Sequence, residues 1–293
     1  MSVVEVSDRS GCKSKLWDYD GSYLPLAING SPSEHLPSLK KWKTRKDDVF
    51  VCSYPKSGTN WVWEIVSMLR QNKKEITEMV FPNIEIYRTQ DIDAMPSPRT
   101  LQSHMRFRCL PQHFLETKGK IIYVMRNPKD IAVSMYNFMT KLKDVYGGTW
   151  DDYLDLFYNG KLGYGSWYDH VRDWEDFRRE NSKYPILFVN YEDIHRDCKK
   201  EITRIAKFLE IPTNSDTVST IAAQVQFQNF KTKKLEKCGH IYRSISRDGT
   251  DVFFRKGVVG DWRNHFTVSQ SDEFDKVLEK KMKGSKLKFK YLV

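Results

Sequence analysis

The sequence predicts an α/β fold: a single domain with a central parallel sheet flanked by helices. Three observations lead there. Short apolar runs of strand length alternate with stripes of apolar residues at helical spacing, an order that in one sheet demands crossover helices. No internal repeat and no Pro/Ser/Gly-rich linker interrupts the 293 residues. The composition, 40% hydrophobic and 13% aromatic with 15 Gly and 11 Pro, suits a chain that buries a sizeable core and excludes collagen-like or disordered classes.

Residues 1–45 are expected to be irregular, punctuated by Gly21, Pro25, Gly30, Pro32 and Pro37. Val49-Phe-Val-Cys-Ser53 then predicts a buried strand, and Val62, Ile65, Val66 and Leu69 place a helix over Thr59 to Arg70. Ile121-Ile-Tyr-Val-Met125 predicts a second strand. After Asn127-Pro128 comes a helix with stripe Ile131, Met135, Phe138 and Leu142. Trp167, Val171, Trp174 and Phe177 mark a third helix, and Pro185-Ile-Leu-Phe-Val-Asn190 a third strand. Ile202, Ile205, Ala206 and Leu209 mark a helix closed by Ile211-Pro212; Val218, Ile221, Ala222 and Val225 mark the next. Phe274, Val277, Leu278 and Met282 mark the last, before a tail at about 285–293.

Several functions are excluded early. No apolar run reaches the ~18–20 residues of a membrane span, and the polar N-terminus lacks a signal-peptide core, so a cytoplasmic protein with no membrane partner is expected. Five cysteines without a C-x-x-C pair argue for reduced thiols rather than disulfides or zinc. H-E-x-x-H, G-x-x-x-x-G-K-[ST] and G-x-G-x-x-G are absent, and no metal is expected. The balance of 48 Lys+Arg against 38 Asp+Glu, 48 − 38 = +10, suits an anionic partner of some kind.

In open parallel sheets ligands sit beyond the carboxyl ends of the strands, which directs attention to the residues there. After the first strand, Tyr54-Pro-Lys-Ser-Gly-Thr-Asn-Trp61 runs straight into a helix, so backbone N–H groups of residues 57–60 converge where an anion can bind, with Lys56 as a mobile charge. A simple turn with a helix cap is the competing reading. After the second strand comes Arg126-Asn-Pro-Lys-Asp-Ile-Ala-Val-Ser134, and after the third Tyr191-Glu-Asp. Phe254-Arg-Lys-Gly-Val-Val-Gly-Asp-Trp262 supplies a second cationic loop. Together they describe a ligand with an aromatic base and more than one anionic group.

The set YPKSGTNW (54–61), RNPKDIAVS (126–134), NYEDI (190–194) and RKGVVGDW (255–262), in this order and spacing, resembles the cytosolic sulfotransferases over about residues 45–275. The resemblance implies a P-loop-like nucleotide site and 3′-phosphoadenosine 5′-phosphosulfate (PAPS) as donor, with PAP as product. It implies that Lys56, Ser57, Gly58, Thr59 and Asn60 cradle the 5′-phosphosulfate. Arg126, Ser134, Arg255, Lys256 and Gly257 would hold the 3′-phosphate, and Trp61, Tyr191 and Phe230 the adenine. Pro98-Arg-Thr-Leu-Gln-Ser-His104 resembles the segment carrying the family's general base, so His104 takes that role together with Lys56 as catalytic cation, and His113 does not. An ordinary imidazole pKa near 6.5 suits that task. Gln102 stands where many relatives have a lysine thought to hold the transferring sulfonyl group, so Gln102 is expected at the substrate.

A small-molecule acceptor is expected. Phe81, Tyr87, Met105, Phe107, Met135, Tyr136 and Phe138 are expected to line an apolar pocket suited to phenols or alcohols, with core packing as the competing reading for each. Arg106 and Arg108 point instead to an anionic acceptor. Arg263-x-x-x-Thr-Val-x-x-x-Asp272 resembles the family's dimer motif and implies a homodimer through 263–272. A P-loop kinase, a nucleic-acid-binding module and a PAPS/PAP-binding member with weak or altered activity are the alternatives. The missing GK[ST] argues against the first. Cations gathered at strand ends and in the tail argue against nucleic acid as partner.

Overall fold

The three anticipated strands form with almost the anticipated bounds, and a fourth joins them. The computed structural model describes residues 2–19, 21–78 and 81–292. In chain order come β1 (Ser2–Ser7), β2 (Lys13–Tyr19), β3 (Ser22–Pro25), α1 (Pro32–Lys41), β4 (Val49–Ser53), α2 (Thr59–Gln71), α3 (Thr89–Asp93), β5 (Thr100–Ser103), α4 (Gln112–Glu116), β6 (Lys120–Met125), α5 (Pro128–Lys141) and α6 (Trp150–Tyr158). There follow α7 (Trp167–Glu180), β7 (Ile186–Asn190), α8 (Tyr191–Arg196), α9 (Cys198–Leu209), α10 (Ser215–Gln224), α11 (Phe227–Ser244) and α12 (Val268–Lys281).

The main sheet is parallel, in the order β5-β4-β6-β7, with Val51 opposite both Gln102 and Ile122. Because side chains alternate along a strand, each strand feeds two cores. Val49, Val51, Ile122, Val124 and Val189 pack against α2, α9 and α10, through residues such as Val62, Ile65, Ile202 and Ile221. Phe50, Cys52, Leu101, Ile121, Tyr123 and Phe188 pack on the other side against α1, α4 and α7, through Leu36, Leu39, Phe114 and Trp174. Burying one such side chain contributes about 1.5–3 kcal/mol, which is why these strands read as continuous apolar runs. After β4 the chain crosses to β5 on one side and then to β6 on the other. The carboxyl end of β4 is therefore a switch point, where a crevice opens.

Two expectations are corrected. The described residues of 1–45 are not irregular: β1, β2 and β3 form an antiparallel sheet, with Val6 opposite Ser14 and Trp17 opposite Leu24, and α1 follows. The signal is a period of two on a half-exposed surface, with Ser14 and Leu16 buried between exposed lysines, which an eye for apolar runs passes over. β5 is the other omission. Thr-Leu-Gln-Ser is too polar to suggest a strand, yet all four residues are buried between β4 and the segment before α3. α6 and α11 were likewise not anticipated.

Candidate active site

β4 ends at Ser53, and the chain turns into α2 through two residues in left-handed backbone, Lys56 (φ 69°) and Gly58 (φ 97°). Gly58 is needed for a second reason: a Cβ there would lie 2.5 Å from Cδ2 of Tyr191. The Ser53 and Thr59 hydroxyls are 2.5 Å apart and tie the strand end to the first turn of the helix. The result is a tight loop that leads directly into the N-terminus of α2, where first-turn amides lack intrahelical partners and an anion can be held.

Arg126, leaving β6, joins this loop to the one after α11. Its Nη1 donates to Lys56 O at 3.1 Å and its Nη2 to Val258 O at 3.2 Å, while the guanidinium lies 4.2 Å from the centre of the Tyr191 ring. Its buried Nε has no partner among the described residues. Behind it stands a network that sequence reasoning missed. Asp130 accepts from Gly260 N (2.8 Å), Trp262 N (3.0 Å) and Asn127 Nδ2 (2.9 Å), and Glu192 accepts from Asn127 N (2.8 Å). These acids lie inside two segments already singled out at strand ends, RNPKD for its cations and YED for its aromatic ring, and that placement is the available signal. Arg255 and Lys256 are both paired with Asp261, Lys256 at 2.8 Å, so this loop holds its cations against a carboxylate of its own.

Lys56, Ser134, Phe138 and Arg255 line one narrow crevice, together with Lys141, Asp251 and Phe253. The ammonium of Lys56 sits 4.2 Å from the centre of the Phe138 ring and 5.7 Å from that of Phe253. Burial, with Arg126 adding repulsion, pulls its pKa down to about 7. Ser57 and Thr59 are buried beside it.

His104 follows β5 directly. Its Nδ1 lies 2.9 Å from Ser53 O, and since a carbonyl only accepts, Nδ1 carries the proton and Nε2 keeps a free lone pair. Burial lowers the imidazole pKa to about 4; the Ser53 carbonyl opposes the shift and Lys56 adds to it. Tyr164, itself in left-handed backbone at φ 71° beside Gly165, packs edge-on at 5.4 Å. Gln102, on β5 two residues before His104, donates Nε2–H to Asn60 Oδ1 at 3.1 Å, so a pair of neutral amides lies beside the cradle. His113 bonds to Thr44 Oγ1 at 3.2 Å and belongs to another region.

Trp61 and Tyr191 meet at 5.3 Å, and His195, which the sequence reading did not single out, joins both rings at 4.9 and 4.7 Å. Two residues expected at the site pack into the core. Phe230 is buried in the core against Phe254; Phe227, one helical turn earlier, lies against the second cationic loop, where a Cβ on Gly257 would come 2.0 Å from its ring. Phe81 also faces the core, against Trp63 (5.3 Å) and Tyr242, and Tyr242 in turn packs on Phe253 at the crevice. On α11 the three-residue offset decides which aromatic looks outward, and apolar character alone does not distinguish them.

A cationic loop–helix cradle at a sheet switch point, a second cationic loop cross-linked to it and an adjacent buried imidazole define an α/β enzyme that transfers a group from an anionic donor. Comparison with known proteins makes the class specific. Residues 46–286 match the family model described as sulfotransferase domain, and the chain belongs to the sulfotransferase family. It is 38% identical to sulfotransferase 1C2 of Rattus norvegicus over 278 residues, covering 90% of this chain and 93% of the relative. It is 35% identical to sulfotransferase 1B1 of Canis lupus familiaris, covering 86% and 89%. A crystal structure of mouse sulfotransferase SULT7A1 complexed with PAP superposes with a TM-score of 0.77 at 34% identity, covering 92% of this chain and 95% of that one. A retinol dehydratase complex with retinol and PAP shares the fold at 21% identity and a TM-score of 0.78.

Proposed function

We propose that this sulfotransferase moves the sulfonate of PAPS to a hydroxyl, or an amine, of a small phenolic or alcoholic acceptor, with His104 as general base. The observation that carries this reading is the hydrogen bond from His104 Nδ1 to Ser53 O, which leaves Nε2 as a proton acceptor beside the Lys56 loop. The residues fit the donor: the Gly58 cradle has room only for backbone, and Arg126 Nε, buried and without a partner among the described residues, is a donor suited to a phosphate. When bound, PAPS supplies an activated sulfonyl group with a phosphate leaving group. His104 stays neutral at pH 7 and takes the acceptor proton at Nε2. Lys56 and the first-turn amides stabilise charge growing on the phosphate side, where preorganised donors contribute most. Ser134, Arg255, Lys256 and Gly257 complete the 3′-phosphate contacts, with Asp261 yielding its partners to the phosphate. Trp61, Tyr191 and Phe227 hold the base, and Phe138 with Phe253 borders the acceptor.

The test is transfer of labelled sulfonate from PAPS to a panel of phenols, alcohols and amines. His104→Ala is expected to abolish transfer while retaining PAP, and Lys56→Ala to cost about 10²–10³-fold. Tight PAP binding without transfer to any acceptor would favour the second reading, a PAP-binding member with weak activity, to which the neutral Gln102–Asn60 pair lends weight. The reading includes a homodimer through 263–272, supported by Val268, which is 79% exposed at the start of α12. A cytoplasmic location accords with five free cysteines.

A further inference from the structure

Behind the proposed base lies a buried acid for which sulfonyl transfer has no direct use. Glu85 precedes α3, 19 residues before His104, and is fully buried. Its Oε1 accepts the backbone N–H of His104 at 2.5 Å and the Ser103 hydroxyl at 3.0 Å; Oε2 has no partner among the described residues. The carbonyl side of His104 is gripped separately. His170 of α7 donates Nε2–H to His104 O at 3.1 Å, and its Nδ1 accepts the Tyr123 hydroxyl at 3.1 Å. Ladder bonds or water normally satisfy the amide after a strand, whereas a buried carboxyl does so at a desolvation cost that pushes Glu85 up to about 7. Such a costly group at this position, with its hydrogen bonds directed to the last residue of β5 and to the one that follows it, indicates a role in orientation.

We propose that Glu85 is a positioning residue for the base: by holding the His104 N–H and the Ser103 hydroxyl it keeps the imidazole turned with Nδ1 on Ser53 O and Nε2 toward the acceptor. This rests on the reading of His104 as base. The titratable groups around the pair are Lys56 across the loop after β4, His170 with Arg106 beyond it, Tyr164 against the ring, Cys52 on β4 and Cys109 beyond His104.

Glu85→Asp retracts the carboxyl by one methylene, whereas Glu85→Gln keeps an oxygen where Oε1 stands. In Glu85→Asp, kcat is expected to fall by roughly 30–100-fold, with PAP affinity and acceptor KM within about twofold. Its acid limb of kcat/KM is expected to rise by about one unit, because a loosened ring is better hydrated. Glu85→Gln is expected to restore kcat to within about threefold and to keep the original acid limb. Should Glu85→Asp fail to fold, Ser103→Ala, which removes one of the two hydrogen bonds to Oε1, reads the same shift with a kcat loss of about 3–10-fold. Wild-type kcat in Glu85→Asp, a Gln variant as poor as Asp, or PAP binding and kcat falling together with an unmoved acid limb overturns the proposal. Inactive His104→Ala beside unaffected Glu85→Asp removes only the role of Glu85. Active His104→Ala removes the base assignment and this inference with it.

Discussion

On the side of the sheet edge assigned to the donor, buried carboxylates bolt three loops together: Asp130 holds Gly260 and Trp262, Glu192 holds Asn127, and Arg126 spans to Lys56 and Val258. On the side assigned to the acceptor, Phe138, Phe253 and Tyr242 meet through ring contacts that have no angular requirement as strict as a hydrogen bond. A donor with two separate anionic groups needs fixed counter-charges, and loops held by hydrogen bonds place them without reorganisation. An apolar acceptor needs shape and exclusion of water, which rings can supply while shifting. The difference predicts that substitutions on the first side act on folding and donor affinity, and those on the second on acceptor choice.

The most severe way to break the first side is Asp130→Ala. It leaves the Gly260 and Trp262 amides without an acceptor, leaves the Asn127 side-chain amide only its 3.3 Å bond to Glu192, and removes the carboxylate 3.7 Å from Arg126. A loss of about 3–5 kcal/mol in unfolding free energy is expected, as for breaking a buried pair, together with loss of measurable PAP binding. Denaturant unfolding and calorimetry check both. Next come the two phenylalanines of α11. Phe230→Ala should cost about 3–5 kcal/mol of stability and leave PAP affinity per folded molecule unchanged. Phe227→Ala should do the reverse, weakening PAP by about tenfold, a stacking-sized effect, with little change in unfolding. The opposite assignment of effects would return the nucleotide role to Phe230.

Much of the donor side was legible because its segments are contiguous: a strand, then the Lys56-Ser57-Gly58 turn, then a helix stripe, each with its own period. The cations were found because charge beside glycine at a strand end is a local pattern. The carboxylates that bind the loops to one another were not, since Asp130 and Glu192 meet partners up to 132 residues away that are mostly backbone amides, with no side-chain pattern of their own. β5 hid for a related reason, a strand made of polar residues that only tertiary burial explains. On the acceptor side, Phe81 and Phe138 look alike in sequence, and only packing sends one to the core and the other over Lys56.

A smaller effect follows from Lys56, which stands between the two sides. With its pKa lowered to about 7 by burial and by Arg126, the ammonium is largely charged below pH 7 and increasingly neutral above it. An anionic ligand binds the charged form, so PAP binding must take up a proton above pH 7. Affinity should fall as pH rises, by at most about tenfold per unit. Lys56→Arg, whose guanidinium stays charged, should flatten that dependence, and calorimetry of both proteins from pH 6 to 9 cancels the titration of the phosphates themselves. A wild-type profile parallel to that of Lys56→Arg would mean that Lys56 is charged throughout.

The mildest expected change is Phe138→Leu. The ring contributes to the crevice wall and, at 4.2 Å, to holding the ammonium, a contact of about 0.5–2 kcal/mol when desolvated. Leucine keeps the apolar volume and removes the ring face. Acceptor KM should therefore change by about 2–5-fold, in a direction that depends on acceptor shape, while unfolding stays within about 1.5 kcal/mol. PAP affinity should weaken by no more than about threefold, because phosphate charge replaces most of what the ring supplies to Lys56. If Phe138→Leu instead abolished PAP binding while acceptor preference held, the ring would belong with the rigid side. The division between a bolted donor half and an adaptable acceptor half would then have to be drawn beyond Phe138, at Phe253 and Tyr242.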